Sequence, residues 1–126
     1  MPIDYDALMA THVNDEICEY SDKDALLYAL AVGFGSNPLD RKELPYVYEG
    51  KSLKTVPTLA SMLLPSNFLD DCGWDYDQVV HSELSVELYH PLPPAARLLA
   101  NRRVTAVHDR GPNRGAKIHV TSDVRL

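Results

Sequence analysis

The sequence predicts an α+β fold, on three observations. Two almost uncharged stretches in the first half, residues 25–32 and 57–64, have helical length and helical end signals. From Val79 onward the apolar residues recur with a period of two, as in half-buried strands. Between Ala96 and Leu126 that alternation is broken once, by Arg110-Gly-Pro-Asn-Arg-Gly115, a hairpin signal.

Residues 1–11 read as a lead-in that Tyr5 and Leu8 can tack onto a core. Ser21-Asp-Lys-Asp24 has the form of a capping box, a hydroxyl acceptor followed three residues later by a carboxylate. The acids also suit the positive start of a helix. Gly33 stands where a left-handed stop belongs. The helix between them is apolar nearly all round, which predicts deep burial. Residues 34–45 are loop, with Pro38 and Pro45, and Tyr46–Glu49 is expected to be extended. Pro57 suits the first turn of a second helix, with Thr55 as its cap, closing before Pro65. A short helix without a polar face belongs in an interior. In residues 79–90, Val80, Leu84, Val86 and Leu88 alternate with His81, Glu83, Glu87 and Tyr89, which predicts a strand ending at Pro91. Two longer strands follow, residues 96–109 and 116–126. In the latter, Ile118, Val120, Ser122 and Val124 share one face.

Composition narrows the function classes. With 126 residues, 45% hydrophobic and 24% charged, the chain suits one globular domain. A net charge of −6 argues against general nucleic-acid binding. The charge is uneven, −11 over residues 1–90 and +5 over residues 91–126, which suits solvated strand faces or a phosphate-bearing ligand. No apolar run is long enough to span a membrane, and the acidic start lacks the pattern of a signal peptide. Cys18 and Cys72 make no disulfide framework, so reduced thiols in a cytosol-like compartment are expected. The five histidines are scattered, so a metal site is not expected, and no cofactor is expected either.

Three phrases in order, ALLYALAVGFG (25–35), PYVYEGKSLKTVPTLASML (45–63) and VVHSELSVELYHPLP (79–93), resemble the N-terminal half of the MaoC-like, enoyl-CoA hydratase 2 family. That family includes the hydratase portion of peroxisomal multifunctional enzyme type 2, and the similarity runs over residues 14–126. The resemblance implies a hot-dog fold, an antiparallel sheet wrapped round a central helix. Residues 1–126 would be a single N-terminal domain of a longer double hot-dog chain, here lacking its last strand. A truncated or proteolysed chain, a natural short subunit and a different strand order all remain open. An unpaired sheet edge would favour association, as a homo-oligomer or with a catalytic hot-dog half.

In the family the C-terminal half carries a loop of the form Tyr-x-x-Ser-Gly-Asp-x-Asn-Pro-Leu-His, whose Asp and His activate water for addition to a trans-2-enoyl-CoA. Laid on that pattern, Asn37, Pro38 and Leu39 coincide, while Gly35 replaces the Asp and Asp40 replaces the His. Hydration needs a base for water and an acid that returns a proton to carbon. Glycine supplies neither, and Asp40 alone is a poor substitute, so no catalytic residue is expected. The resemblance therefore implies the half that accommodates the acyl chain of an (R)-specific 2-enoyl-CoA hydratase, inactive by itself and peroxisomal in a eukaryote. Thr58, Leu59 and Met62, on the central helix, are the substrate-binding candidates, with His81 a further one. His81-Ser-Glu-Leu84 departs from the family's His-Gly-Glu-Gln. An acyl-CoA-binding or assembly subunit without chemistry is the alternative. A thioesterase is disfavoured because the second helix carries no carboxylate, Glu49 being the nearby one.

Overall fold

The computed structural model describes residues 3–126. The elements run α1 (Tyr5–Met9), β1 (His12–Tyr20), α2 (Asp22–Ala31), α3 (Leu44–Val47), three 3₁₀ turns (Pro57–Met62, Ser66–Cys72 and Tyr76–Gln78), β2 (Ala96–Asp109) and β3 (Ala116–Arg125). The fold is α+β, with a three-stranded sheet in the order β1-β2-β3. β2 and β3 pair antiparallel from Leu99↔Arg125 to Asp109↔Ala116, with a bulge between Val104 and Ala106. The turn closes through Arg110 N–H to Gly115 C=O at 2.9 Å, and Gly115 takes φ +67°. Both long strands and their hairpin lie where the sequence places them.

The chain divides into two compact units. One comprises the residues up to Ile17, Ser66–Ser82 and Leu98–Leu126. It buries Leu8, Leu98, Ala100 and Val104. Leu8 anchors the lead-in as expected, whereas Tyr5 is exposed. Arg102 reaches Glu16 at 3.2 Å and lays its guanidinium over the Phe68 ring at 4.6 Å. Asp15 has φ +53° and donates its N–H to the Asn101 side chain at 2.8 Å. That one left-handed residue shifts the phase of β1: Val13 is half-buried before it, and Glu16, Cys18 and Tyr20 turn inward after it. A period-two reading fails at such a kink, which is why β1 is not evident in the sequence.

The second unit comprises Cys18–Pro65 and Glu83–Arg97. Its buried side chains are Cys18, Tyr20, Ala25, Ala29, Val56 and Leu59, with Thr55. Helix α2 opens on the expected capping box, Ser21 accepting from Asp24 N–H and the Asp24 carboxylate accepting from Ser21 N–H. It closes in a Schellman motif: Gly33 at φ +102°, with Phe34 N–H on Ala29 C=O and Gly33 N–H on Leu30 C=O.

Four expectations are corrected. Helix α2 buries Ala25 and Ala29 but exposes Leu27, Leu30 and its C-cap Val32, so uniform apolarity did not mean burial. Tyr46 and Val47 end helix α3 rather than start a strand, because Pro45 sets the first turn and Phe34 stacks on Tyr46 at 4.9 Å. The second helix is a 3₁₀ turn over Pro57–Met62 with only Leu59 buried, and Val56 replaces Thr55 as its cap. Thr55 instead donates its hydroxyl to Pro93 C=O at 2.9 Å. Finally, residues 79–90 form no strand and are exposed throughout, Val80 by 84% and Leu84 by 62%. A strand needs a neighbour to take its N–H and C=O groups, and no ladder includes these residues.

Candidate functional site

The loop after α2 is organised by its own polar groups. Gly35 donates its N–H to the Glu43 carboxylate at 2.8 Å, and a Cβ there would meet the Val47 methyls at 3.3 Å. Asn37 Oδ1 accepts from Leu39 N–H at 3.0 Å, and Asn37 C=O accepts from Asp40 N–H at 3.1 Å. Asp40 Oδ1 in turn accepts from Lys42 N–H at 2.9 Å. These are Asx turns in series, the local bonding that Asn and Asp offer in loops. The Asp40 carboxylate is thus engaged with backbone, and no histidine is among its hydrogen-bond partners.

The Pro57–Met62 turn places its three candidates differently. Leu59 is buried, Thr58 is exposed and Met62 is 67% exposed. Thr58 Oγ1 accepts from the Tyr28 hydroxyl at 2.9 Å, and Thr58 C=O accepts from Ser61 Oγ at 2.8 Å. Tyr28 therefore belongs with Thr58 and Leu59. Its signal in the sequence is that it alone, within residues 25–32, carries a side-chain hydrogen-bonding group. His81 belongs to the other unit, so the five candidates are divided between the two.

Two pockets lie elsewhere. One of about 260 Å³, in the second unit, is lined by Leu44, Pro45, Tyr48 and Gly50–Ser52. Another of about 320 Å³, in the first unit, is lined by α1 side chains together with His12, Phe68, Cys72 and Trp74. Neither is lined by Asp40, Thr58, Leu59, Met62 or His81. The Tyr28–Thr58 hydroxyl pair is the stronger candidate, because specificity rests on placed polar groups rather than on volume alone. In the larger pocket burial, and secondarily the charge of Asp71, pushes the Cys72 thiol up, so it is held as a thiol and not as a nucleophile. Burial likewise raises the phenol of Tyr20, whose hydroxyl donates to Pro93 C=O. Among the described residues no group of three His, Cys, Asp or Glu side chains is placed to hold a metal ion, and no helix is long and apolar enough to cross a membrane.

Comparison with known proteins matches residues 18–125 to the family described as the MFE-2 hydratase 2 N-terminal domain. The chain is 31% identical over 115 residues to the peroxisomal enoyl-CoA hydratase 2 of Arabidopsis thaliana, covering 84% of this chain and 37% of that protein. It is 27% identical over 118 residues to the enoyl-CoA hydratase ChsH3 of Mycobacterium tuberculosis, covering 88% of this chain and 41% of that one. Peroxisomal multifunctional enzyme type 2 of Mus musculus is 27% identical over 101 residues, which are 73% of this chain and 13% of the mouse protein. The chain thus spans about two-fifths or less of the length of these relatives.

Proposed function

The chain belongs to the MFE-2 hydratase 2 N-terminal domain family, and from that premise we propose that it is the non-catalytic half of an (R)-specific 2-enoyl-CoA hydratase, the half that accommodates the acyl chain. The observation that carries this reading is the Gly33–Asp40 loop. Gly35 has no side chain to act as base, and Asp40 spends its carboxylate on a turn. Reversible hydration of an enoyl thioester needs a positioned acid and base. This loop offers neither, and a partner half of the hot-dog type supplies them in this reading.

The acyl chain itself asks only for apolar surface with a few orienting groups. Thr58, Leu59 and Met62 lie on the Pro57–Met62 turn, and Tyr28 of α2 joins them through its hydroxyl on Thr58. His81, in the other unit, is a separate substrate-binding candidate. The hot-dog arrangement is part of the same proposal, as is a peroxisomal location in a eukaryotic cell, which accords with the names of the Arabidopsis and mouse relatives.

The test is turnover and binding by the purified chain. Crotonyl-CoA and a longer trans-2-enoyl-CoA are expected to stay unhydrated, while calorimetry detects a long-chain acyl-CoA and Leu59→Ala weakens it severalfold. Hydration by the chain alone, lost in Asp40→Asn, overturns the non-catalytic assignment. Absence of any acyl-CoA binding favours a purely assembling subunit.

A further inference from the structure

The larger pocket, of about 320 Å³, lies within the first unit and shares no residue with the turn assigned to the acyl chain. Its hydroxyl and its imidazole have spent their hydrogens on backbone. Thr11 Oγ1 donates to Ala7 C=O at 2.9 Å. His12 Nδ1 lies 2.8 Å from Ala10 C=O. A carbonyl only accepts, so Nδ1 carries the proton and the neutral ring keeps its lone pair on Nε2. Asp4, whose Oδ1 accepts from Ala7 N–H at 3.0 Å, and Asp71 add two carboxylates, which only accept when ionised. The donors left are the weak Cys72 S–H and the Trp74 indole N–H. Among the described residues that line the pocket there is no lysine or arginine.

The walls suit a positive charge as well. The Trp74 ring, set edge-to-face with Tyr76 at 6.2 Å, forms one of them, and an indole face attracts cations more strongly than other aromatic rings do. Phe68 carries the Arg102 guanidinium over its ring, and that charge is matched by Glu16 at 3.2 Å. Burial, and after it the charge of Asp71, pushes the Cys72 thiol up, so a further anion is disfavoured here.

We propose that this pocket binds a primary alkylammonium. Its N–H groups are donors for Asp4, Asp71, Thr11 Oγ1 and His12 Nε2, its charge is drawn to the Trp74 ring, and its stem packs on Leu8. A quaternary ammonium matches the charge but brings no N–H to these acceptors. An alcohol of the same length matches the size but brings no charge. The volume is at the small end for ligand pockets, which suits a stem of a few carbons.

Trp74 is the single tryptophan of the chain, so its fluorescence reports on this pocket directly. Titrating the whole chain with n-pentylammonium chloride at neutral pH is expected to give a saturable change with a millimolar dissociation constant. Tetramethylammonium is expected to bind about tenfold more weakly, and n-pentanol and pentanoate not to saturate. Asp71→Asn should weaken the amine about tenfold. Asp4→Asn keeps a capping side chain while removing the charge, and should weaken it severalfold. Ala7→Phe fills the pocket and should abolish the change while the far-UV spectrum stays that of the folded chain. A lysine capped at both backbone ends is titrated beside the amine. Equal affinity identifies a protein's lysine side chain as the source of the ammonium, and binding of the amine alone identifies a free small amine; both uphold the site. No saturable change with either, tetramethylammonium or pentanol binding as tightly as the amine, or amine binding indifferent to both Asp→Asn variants overturns the proposal. So does undiminished binding by a folded Ala7→Phe chain.

Discussion

Residues 79–90 and residues 96–125 carry the same alternation of apolar and polar side chains, and they end in opposite states. The second stretch forms a hairpin of ten register pairs, while the first stays exposed and unladdered. The difference lies in closure and anchorage rather than in propensity. The Arg110–Gly115 turn brings two strands together across a loop of six residues, at small entropic cost. β2 is then held by Leu98, Ala100 and Val104 in the core and by Arg102 on Glu16 and Phe68. Residues 79–90 lead instead through prolines into β2, whose two edges are already taken by β1 and β3.

Removing the anchor should break the hairpin's advantage most. Arg102→Ala leaves Glu16, only 21% exposed, without its partner, and is expected to cost about 3–5 kcal/mol in urea unfolding. Leu98→Ala, at a 2% exposed site, should cost about 2–5 kcal/mol through lost transfer and cavity terms. Its counterpart Leu84→Ala, at a 62% exposed site, should stay within about 0.5 kcal/mol of wild type. Equal effects at Leu98 and Leu84 would mean that the two regions are not packed differently at all.

Smaller effects test the turn and the caps. Gly115→Ala forces a side chain into φ +67° and should cost about 1–2 kcal/mol, lowering the melting temperature by several degrees. Tyr20→Phe removes the bond to Pro93 and should cost about 1 kcal/mol. Because burial raises the Tyr20 phenol above its ordinary 10.0, the folded state holds that proton longer than the unfolded one. The stability from neutral Tyr20 is therefore present below pH 10 and lost as pH climbs through the raised value, and Tyr20→Phe should flatten that loss. Least of all, the hydrogen bonds from Ser21, backbone first and then side chain, lower the Asp24 carboxyl below 3.8. Its contribution is complete above that value and fades as pH falls through the lowered one. Far-UV circular dichroism should show α2 fraying there in wild type, with Asp24→Asn already frayed at neutral pH.

Legibility in the sequence follows the range of the interaction. Ser21 with Asp24, Gly33 with Leu30, and Arg110 with Gly115 all close within a few residues, and the cap, the helix stop and the turn were each evident from residue types alone. β1 was not, because the left-handed Asp15 breaks its alternation, and the N–H it redirects finds Asn101, 86 positions on. In the candidate site, the Asn37-Pro38 turn of the loop was plain in the sequence. The pairing of Tyr28 with Thr58 was not, since it joins residues 30 apart on two elements.

The amino-acid sequence by itself determined the α+β class, both ends of α2 and the β2–β3 hairpin. Local geometry and side-chain chemistry suffice for each of these. Tertiary structure alone decided which apolar surfaces are covered: Ala25 and Ala29 rather than Leu27 and Leu30 on α2, and β2 rather than residues 79–90. Burial depends on whether a second surface arrives, and hydrophobic attraction carries no direction that a sequence pattern could encode.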